Sequence, residues 1–466
     1  MLDKIIENTQ TYIKVHDKVS RRRKSQFFTS KSVAEFMAEK ASYRREHLSI
    51  LEPGAGNGLL TAAVVRYCME NGLCNSFSVR FVENDPDILP VLNETISLMK
   101  AYVLEHHGMI EFFVSTENYI LSRDKSRYDI VICNPPYKKI RKDSAESKEM
   151  HNYVYGQPNL YGLFMCKAVC ELKTKGRFLF ITPRSWTSGA YFKLVRECIL
   201  AELDITDLLL FGGRDNVFKG EDVLQETMIT AGVKARCQTE MVRFYIAESC
   251  FSRMPFQMEV PEKLIKGIGE DSYLLLPESK EGLQVIRRMS DIPDTFESLG
   301  YCFKTGPVVE YRDRLYISEV EKSGYVPMYR MINIKDGDCV FPANTEKAQY
   351  ADETRKGLMV LNKDMLFVRR LTSKEERRRI QSCVYYKKGK HKYISIENHV
   401  NYLVRSDGMP LTVDELEWLN KVLSSDDYDI YYRVCNGSTQ VNAGELNKMP
   451  LQRNDKVYVG TVREEL

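Results

Sequence analysis

Asn134, Pro135, Pro136 and Tyr137 follow one another directly after the apolar run 128–133, Tyr-Asp-Ile-Val-Ile-Cys. The two prolines lock the backbone and remove two N–H donors, which leaves carbonyls free to accept. The Asn134 amide oxygen can accept as well, but an amide cannot serve as a general base. Tyr137 adds a flat ring. A rigid pair of acceptors beside a ring suits a planar substrate that presents an NH2 group. A plain Pro-Pro turn with a surface tyrosine is the competing reading, and the position straight after a buried strand disfavours it. A second group, Leu51-Glu52-Pro53-Gly54-Ala55-Gly56-Asn57-Gly58, also follows a strand and opens a helix. Its glycines let the backbone turn tightly and approach a ligand with no Cβ in the way. The N–H groups of the helix start then face whatever binds. The spacing is G-x-G-x-G rather than the G-x-G-x-x-G of dinucleotide enzymes. One strand later, Glu83 stands where an acid bonds ribose hydroxyls in a nucleoside-binding doubly wound fold.

These residues need a sheet to hold them at one edge, and the chain supplies the pattern for one. Strands are predicted at 48–51, 77–82, 110–114, 128–133, 178–182, 208–211 and 227–231. Helical spacing fills 59–70, 88–106, 160–172 and 191–203 between them. Such alternation predicts an α/β fold with a doubly wound parallel sheet. After residue 250 the texture changes: Pro255, Pro261, Gly267 and Gly269 punctuate the chain, and short tyrosine-rich strand-like pieces follow. The expected division is residues 1–250 and 251–466, the second a mixed α/β domain.

Of the 466 residues, 43% are hydrophobic and 28% charged, which excludes global disorder. No apolar run approaches the roughly 18 residues of a membrane span, and Met1-Leu2-Asp3-Lys4 begins no secretory signal, so no membrane partner and a cytoplasmic location are expected. The twelve cysteines form no C-x-x-C pair and are read as reduced thiols; no metal site is expected. A net charge of +3 argues for no particular partner, but its distribution is uneven. Residues 18–24 hold five bases and no acid, and residues 369–392 hold ten bases against two acids, with Tyr385 and Tyr386 among them. Solvated faces are the ordinary fate of such runs; two of them, one with aromatics, also fit nucleic acid.

Asn134 to Tyr137 match the (D/N)PP(Y/F) motif of amino-methyltransferases. Together with Glu52-Pro53-x-x-Gly56-x-Gly58, they make the chain resemble the gamma group of DNA adenine-N6 methyltransferases, the TaqI-like enzymes of restriction-modification systems. Gln26-Phe27-Phe28-Thr29-Ser30 resembles that group's N-terminal motif, Asn159-Leu160-Tyr161-Gly162-x-Phe164 its NLYxxF segment, and residues 178–186 the strand and turn after it. Asn216-Val217-Phe218 falls where the group carries an aromatic facing the target base. Ser25 and Ser30 depart from the Gly and Pro of many members. Glu117-Asn118-Tyr119 stands where an Asp commonly contacts the cofactor adenine; spacing to Asn134 favours Asn118, with Glu117 left open.

The resemblance implies a catalytic domain of the S-adenosylmethionine-dependent methyltransferase fold, Rossmann-like, followed by a target-recognition domain. It implies S-adenosyl-L-methionine as cofactor, bound by Thr29, Glu52, Gly54, Gly56, Glu83, Asn118 and Phe164. Catalysis would fall to Asn134, Pro135, Tyr137 and Phe218, the last two stacking on a base flipped out of duplex DNA. The implied partners are duplex DNA and a separate cognate restriction endonuclease, and the implied state is a monomer. An RNA or protein glutamine methyltransferase shares the Asn-Pro-Pro-Tyr chemistry. A nicotinamide dehydrogenase is disfavoured by the glycine spacing, and a catalytically dead specificity subunit by the intact motifs. A fused nuclease is disfavoured because neither Pro86-Asp87 nor Pro293-Asp294 is followed by a nearby (D/E)-x-K.

Overall fold

The computed structural model describes residues 1–24, 26–211, 227–234, 240–247, 256–266, 273–373, 375–436 and 439–454. The chain divides into two compact units, one of residues 1–267 with 271–274 and the other of residues 268–270 with 275–466.

The first unit is built on a sheet of nine strands: β1 (Leu48–Pro53), β2 (Ser76–Val82), β3 (Met109–Ser115), β4 (Tyr128–Cys133), β5 (Leu172–Pro183), β6 (Asp204–Phe211), β7 (Thr227–Val233), β8 (Met241–Ala247) and β9 (Phe256–Pro261). Their order is β3-β2-β1-β4-β5-β7-β6-β8-β9. From β3 to β5 all neighbours are parallel. β7 inserts antiparallel between β5 and β6, and β9 pairs antiparallel with β8. The sheet is thus doubly wound but mixed, where the alternation of elements alone predicts a parallel one. The expected boundary at residue 250 is also displaced. β9 completes its hydrogen bonds on β8, so the unit runs on to residue 267.

Helices cover both faces. They are α1 (Leu2–Val15), α2 (Lys18–Arg23), α3 (Lys31–Ala41), α4 (Leu59–Glu70), α5 (Leu89–Glu105), α6 (Ala145–Glu149), α7 (Leu160–Glu171), α8 (Lys193–Glu202) and the short α9 (Glu262–Ile265). All six residues of β4 are buried, as a strand covered on both sides must be. Val33, Met37, Val64 and Leu92, from α3, α4 and α5, pack on Ile50, Ile130, Ile132 and Ile181 in one core. α3 starts where Ser30 accepts the Val33 N–H, so the serine that departs from the family's proline serves as a helix cap.

The order reverses between β1 and β4: β2 and β3 lie on one side, β5 onward on the other. At such a switch point the loops leaving two adjacent parallel strands diverge to opposite faces and open a crevice at their carboxyl ends. β1 pairs with β4 through Ile50–Ile130 and Leu51–Val131, and the Cys133 thiol donates to the Pro53 carbonyl at 2.9 Å. The topology therefore brings the glycine loop beside Asn134.

The second unit is mixed α/β, as its texture predicts. An antiparallel sheet has the order Tyr301–Thr305, Val400–Arg405, Met365–Arg369, Ser382–Tyr385. A five-stranded sheet and helices such as Val413–Leu423 complete it. Tyr329, Phe367 and Tyr385 meet ring to ring in its core, with centroids 4.8–5.6 Å apart.

Much of the basic run 369–392 is structural. Arg379 is fully buried, Arg370 donates to the Asn398 carbonyl at 3.1 Å, and Arg378 pairs with Asp426 at 2.7 Å. Lys387, Lys388 and Lys390 stand exposed around Gly389, whose φ of 72° makes the turn. In the N-terminal run, Arg21 is buried against the His16 carbonyl at 3.1 Å. Among the described residues no helix is long and apolar enough to cross a membrane.

Candidate active site

A cavity of about 420 Å³ opens at the switch point. Its floor is the glycine loop, where Gly54, Gly56 and Gly58 take φ of 66°, 54° and 72°. A side chain is strained in that left-handed region, so the loop needs its glycines. The Gly54 and Ala55 N–H groups donate to the Val82 carbonyl at 2.7 and 3.1 Å. Glu83, at the end of β2, accepts the Gly56 N–H on one oxygen and the Asp85 N–H on the other, both at 2.8 Å. One carboxylate thus ties two loops together and keeps a lone pair on each oxygen. Burial raises its pKa against the pull of those amides. Glu52 accepts the Thr61 N–H at 3.0 Å, and its complete burial pushes its carboxyl up to about 8.

The far wall comes from the loop after β3 and from α7. The Asn118 oxygen caps the next turn through the Ile120 N–H at 3.0 Å, and its amide donates to Glu146 at 2.9 Å. Glu117 also lines the cavity. One oxygen of Glu117 already takes the Ser115 and Ser122 hydroxyls at 2.9 Å each and Arg80 at 3.1 Å. Phe164 lies tilted against Tyr119 with centroids 4.8 Å apart. A Cβ at position 54 would meet Phe164 at 3.6 Å and Pro136 at 3.8 Å, so both rings wall the loop closely.

The N-terminal segment closes the remaining side. Lys24 pairs with Asp85 at 2.8 Å and with Asp87, and Gln26 also reaches Asp85. The Phe27 carbonyl accepts the Asn134 amide N–H at 2.8 Å, and the Thr29 hydroxyl accepts it at 3.2 Å. A carbonyl can only accept, so this contact fixes which end of the Asn134 amide carries nitrogen. Its oxygen is then held as an acceptor on the other side. There the Tyr137 hydroxyl lies 3.1 Å from that oxygen and 3.1 Å from the Ile181 carbonyl, one proton between two acceptors. The Tyr137 ring is half-buried, 5.8 Å from Phe27 at an interplanar angle of 25°.

Thr29, Glu52, Gly54, Gly56, Glu83, Asn118, Asn134 and Phe164, each singled out from sequence, line this one cavity. Pro135 is buried behind it, and Tyr137 joins it through Asn134. Phe218 lies outside the described residues. Sequence reasoning missed Lys24, Gln26, Asp85 and Glu146. The signal for Lys24 and Asp85 was a basic run ending at Lys24 and an Asp-Pro-Asp directly after the Glu83 loop, two segments of opposite charge; Gln26 heads the N-terminal motif, which gave it no role of its own. Glu146 left none, because its partner Asn118 is 28 positions away.

Residues 83–218 match the Eco57I restriction-modification methylase family. The type II methyltransferase M.PstI of Providencia stuartii is 31% identical over 447 residues, which are 93% of this chain and 88% of that protein. Likeness of that extent spans both units rather than the motifs alone. The chain belongs to the gamma group of restriction-modification DNA methyltransferases. A second such methyltransferase, M.BsuBI of Bacillus subtilis, is 30% identical over 92% of this chain and 88% of its own length. Among solved structures, a nuclease-deletion mutant of the type ISP restriction-modification enzyme LlaGI, in complex with a DNA substrate mimic, superposes with a TM-score of 0.52. It is 12% identical and covers 92% of this chain and 53% of that one, a likeness of fold. The methyltransferase fold of the first unit accounts for the place of the cavity, at the carboxyl ends of β1, β2 and β4.

Proposed function

We propose that this methyltransferase is adenine-specific and site-specific, and that it moves a methyl group from S-adenosyl-L-methionine to the N6 amino group of an adenine flipped out of duplex DNA. The observation that carries the reading is the fixed orientation of Asn134, whose nitrogen is held by Phe27 and Thr29 while its oxygen stays an acceptor beside Pro135. The donor fits the cavity by size and by chemistry. About 420 Å³ is ample for a nucleoside with an amino-acid tail. Glu83 retains lone pairs for ribose hydroxyls, the positive-φ glycines leave room against the loop, and Phe164 gives the purine an apolar wall. Thr29, Glu52, Gly54, Gly56 and Asn118 complete the lining. Glu117 and Asn118 both line the cavity, and the spacing to Asn134 favours Asn118 as the purine contact.

When bound, the cofactor supplies a methyl group on a positively charged sulfur, already a strong electrophile. The protein's part is to position and prepare the nucleophile. The adenine amino lone pair is delocalised into its ring. Accepting its two hydrogens at the Asn134 oxygen and the Pro135 carbonyl favours a pyramidal nitrogen with a localised lone pair. An amide cannot keep the proton that nitrogen sheds, so water takes it. Tyr137, and Phe218 in the segment after β6, are the aromatic surfaces for the flipped base. The second unit reads the target sequence. The enzyme works as a monomer in the cytoplasm, beside a separate restriction endonuclease.

Long-read sequencing of DNA from cells expressing the protein tests this, with methyladenine expected in one sequence motif. Asn134→Ala should abolish that signal, with a loss of roughly a hundred- to a thousand-fold in kcat, and leave cofactor binding intact. Asn134→Asp should retain part of it, since an acceptor remains. Methylation of RNA or of glutamine peptides with unmodified DNA would move the reading to the RNA or protein class.

A further inference from the structure

Tyr311 and Leu315, in the second unit, are 87% and 86% exposed, the highest values among the large hydrophobic side chains of the described residues. Single exposed apolar residues are ordinary on a protein surface. These two are four positions apart on one continuous turn, a helical segment Glu310–Asp313 running into a 3-10 segment Arg314–Tyr316. The turn is braced from within. The Asp313 carboxylate accepts the Val309 N–H at 2.7 Å, the Asp313 N–H donates to the Val309 carbonyl at 2.8 Å, and Glu310 is held by the buried Arg330. Arg330 is itself fixed on the Ala348 carbonyl at 3.1 Å. Two large apolar groups are therefore held out in water by a turn that does not depend on their burial.

Their surroundings are cationic. Arg312 and Arg314, on the same turn, are exposed. Arg312, Arg355 and Lys356 line a shallow cleft of about 300 Å³. Among the lining residues the one carboxylate is Asp313, already engaged by Val309 and by Arg312 at 3.5 Å. Arg355 is seated over the Tyr316 ring at 3.9 Å, which fixes its guanidinium at the foot of the turn. A rigid apolar tip beside a cationic cleft complements a polyanion whose backbone encloses a stack of apolar faces.

We propose that Tyr311 and Leu315 form a wedge that enters the base stack of duplex DNA, with the adjoining phosphates held by Arg312, Arg355 and Lys356. The inference rests on the DNA-methylating function argued above and adds how the second unit engages the duplex. Wedges of this kind unstack a base step and kink the helix, and the new contacts offset the cost. Indirect selectivity follows: the site should favour an easily unstacked pyrimidine–purine step where the wedge enters.

The test uses the full chain and a short duplex containing a motif that the wild-type enzyme methylates. Tyr311→Trp places an indole at the tip. Its fluorescence should be quenched by the duplex, and the quenching should persist with a fully methylated duplex. The double variant Tyr311→Ala/Leu315→Ala should bind the duplex about ten-fold more weakly and lose the bend seen by end-to-end energy transfer. Its melting temperature should match wild type, since the side chains removed are exposed. An unquenched indole, with wild-type affinity and bend in the double variant, overturns the wedge while wild-type methylation of the same duplex leaves the parent reading standing. A wild-type protein that neither binds nor methylates duplex DNA overturns both.

Discussion

At the scale of single residues, the arrangement around Asn134 shows how an amide becomes directional. Phe27 and Thr29 define its nitrogen end, and the Tyr137 hydroxyl lies on its oxygen. Tyr137→Phe keeps the ring and removes that hydroxyl. One hydrogen bond of this kind contributes about 1 kcal/mol, so kcat should fall about five-fold with little change in duplex affinity. Single-turnover methylation at saturating DNA would measure it, and a loss confined to affinity would assign Tyr137 to stacking alone. Glu52 offers a second test. Burial raises its pKa from 4.5 to about 8, so the folded state binds the proton more tightly than the unfolded state. That contribution to stability is complete below 4.5 and is lost as pH rises through about 8. The cofactor-free wild type should therefore melt at lower temperature as pH climbs through that window. Glu52→Gln should flatten this part of the curve, and identical slopes in the two proteins would show that Glu52 titrates elsewhere.

At the scale of elements, the glycine loop and α4 depend on one backbone conformation. Gly58 precedes α4 with φ 72°, and a Cβ there would lie 2.9 Å from the Leu92 side chain on α5. Leu92 can give way, but the left-handed backbone cannot be relieved, and it costs an alanine about 1–2 kcal/mol. Gly58→Ala should lower the melting temperature and weaken cofactor binding together, because the strain falls on the loop that floors the cavity. Calorimetric titration beside a melting curve measures both; unchanged cofactor affinity in a destabilised protein would separate the loop from the site. Legibility at this scale followed local chemistry. Strands β1 and β4 lie where apolar runs predict them, since a strand buried on both faces leaves no other pattern, and β2 is found by its alternation of buried and half-buried residues. β8 and β9 escaped notice because they form the sheet's outer end, where Arg243 and Glu259 alternate with Val242 and Val260 and the run is broken.

At the scale of the whole molecule, the second unit holds a basic run whose members have divided roles. Lys387, Lys388 and Lys390 are exposed around the Gly389 turn, while Arg379 is fully buried, donating to Thr372 at 3.1 Å. Replacing the three lysines should reduce the slope of log K against log salt by up to about three units, about equally for all sequences, and leave cofactor affinity alone. Arg379→Ala should instead cost about 2–4 kcal/mol of folding stability and leave the salt slope unchanged. Duplex binding across a salt series, with melting curves for both variants, distinguishes the roles. An unchanged slope in the triple variant would place that turn off the DNA.

The chemistry of the chain was determined by sequence alone wherever it rests on adjacent residues. Two prolines after an asparagine, or glycines alternating in a loop, restrict the backbone locally, and no tertiary contact is needed to read them. The order of five separated motifs likewise sufficed for the resemblance to the gamma group. Tertiary structure decided what depends on residues far apart in the chain. The reversal of strand order between β1 and β4 sets Pro53 against Cys133, 80 positions on, and the N-terminal segment closing on the cavity sets Phe27 against Asn134, 107 positions on. It also decided which cations of a basic run are exposed and which are buried, and it placed the last strands of the sheet. Composition is blind to these outcomes because burial and pairing are properties of the packed molecule: a free arginine and a buried one are spelled alike until the fold removes one of them from water.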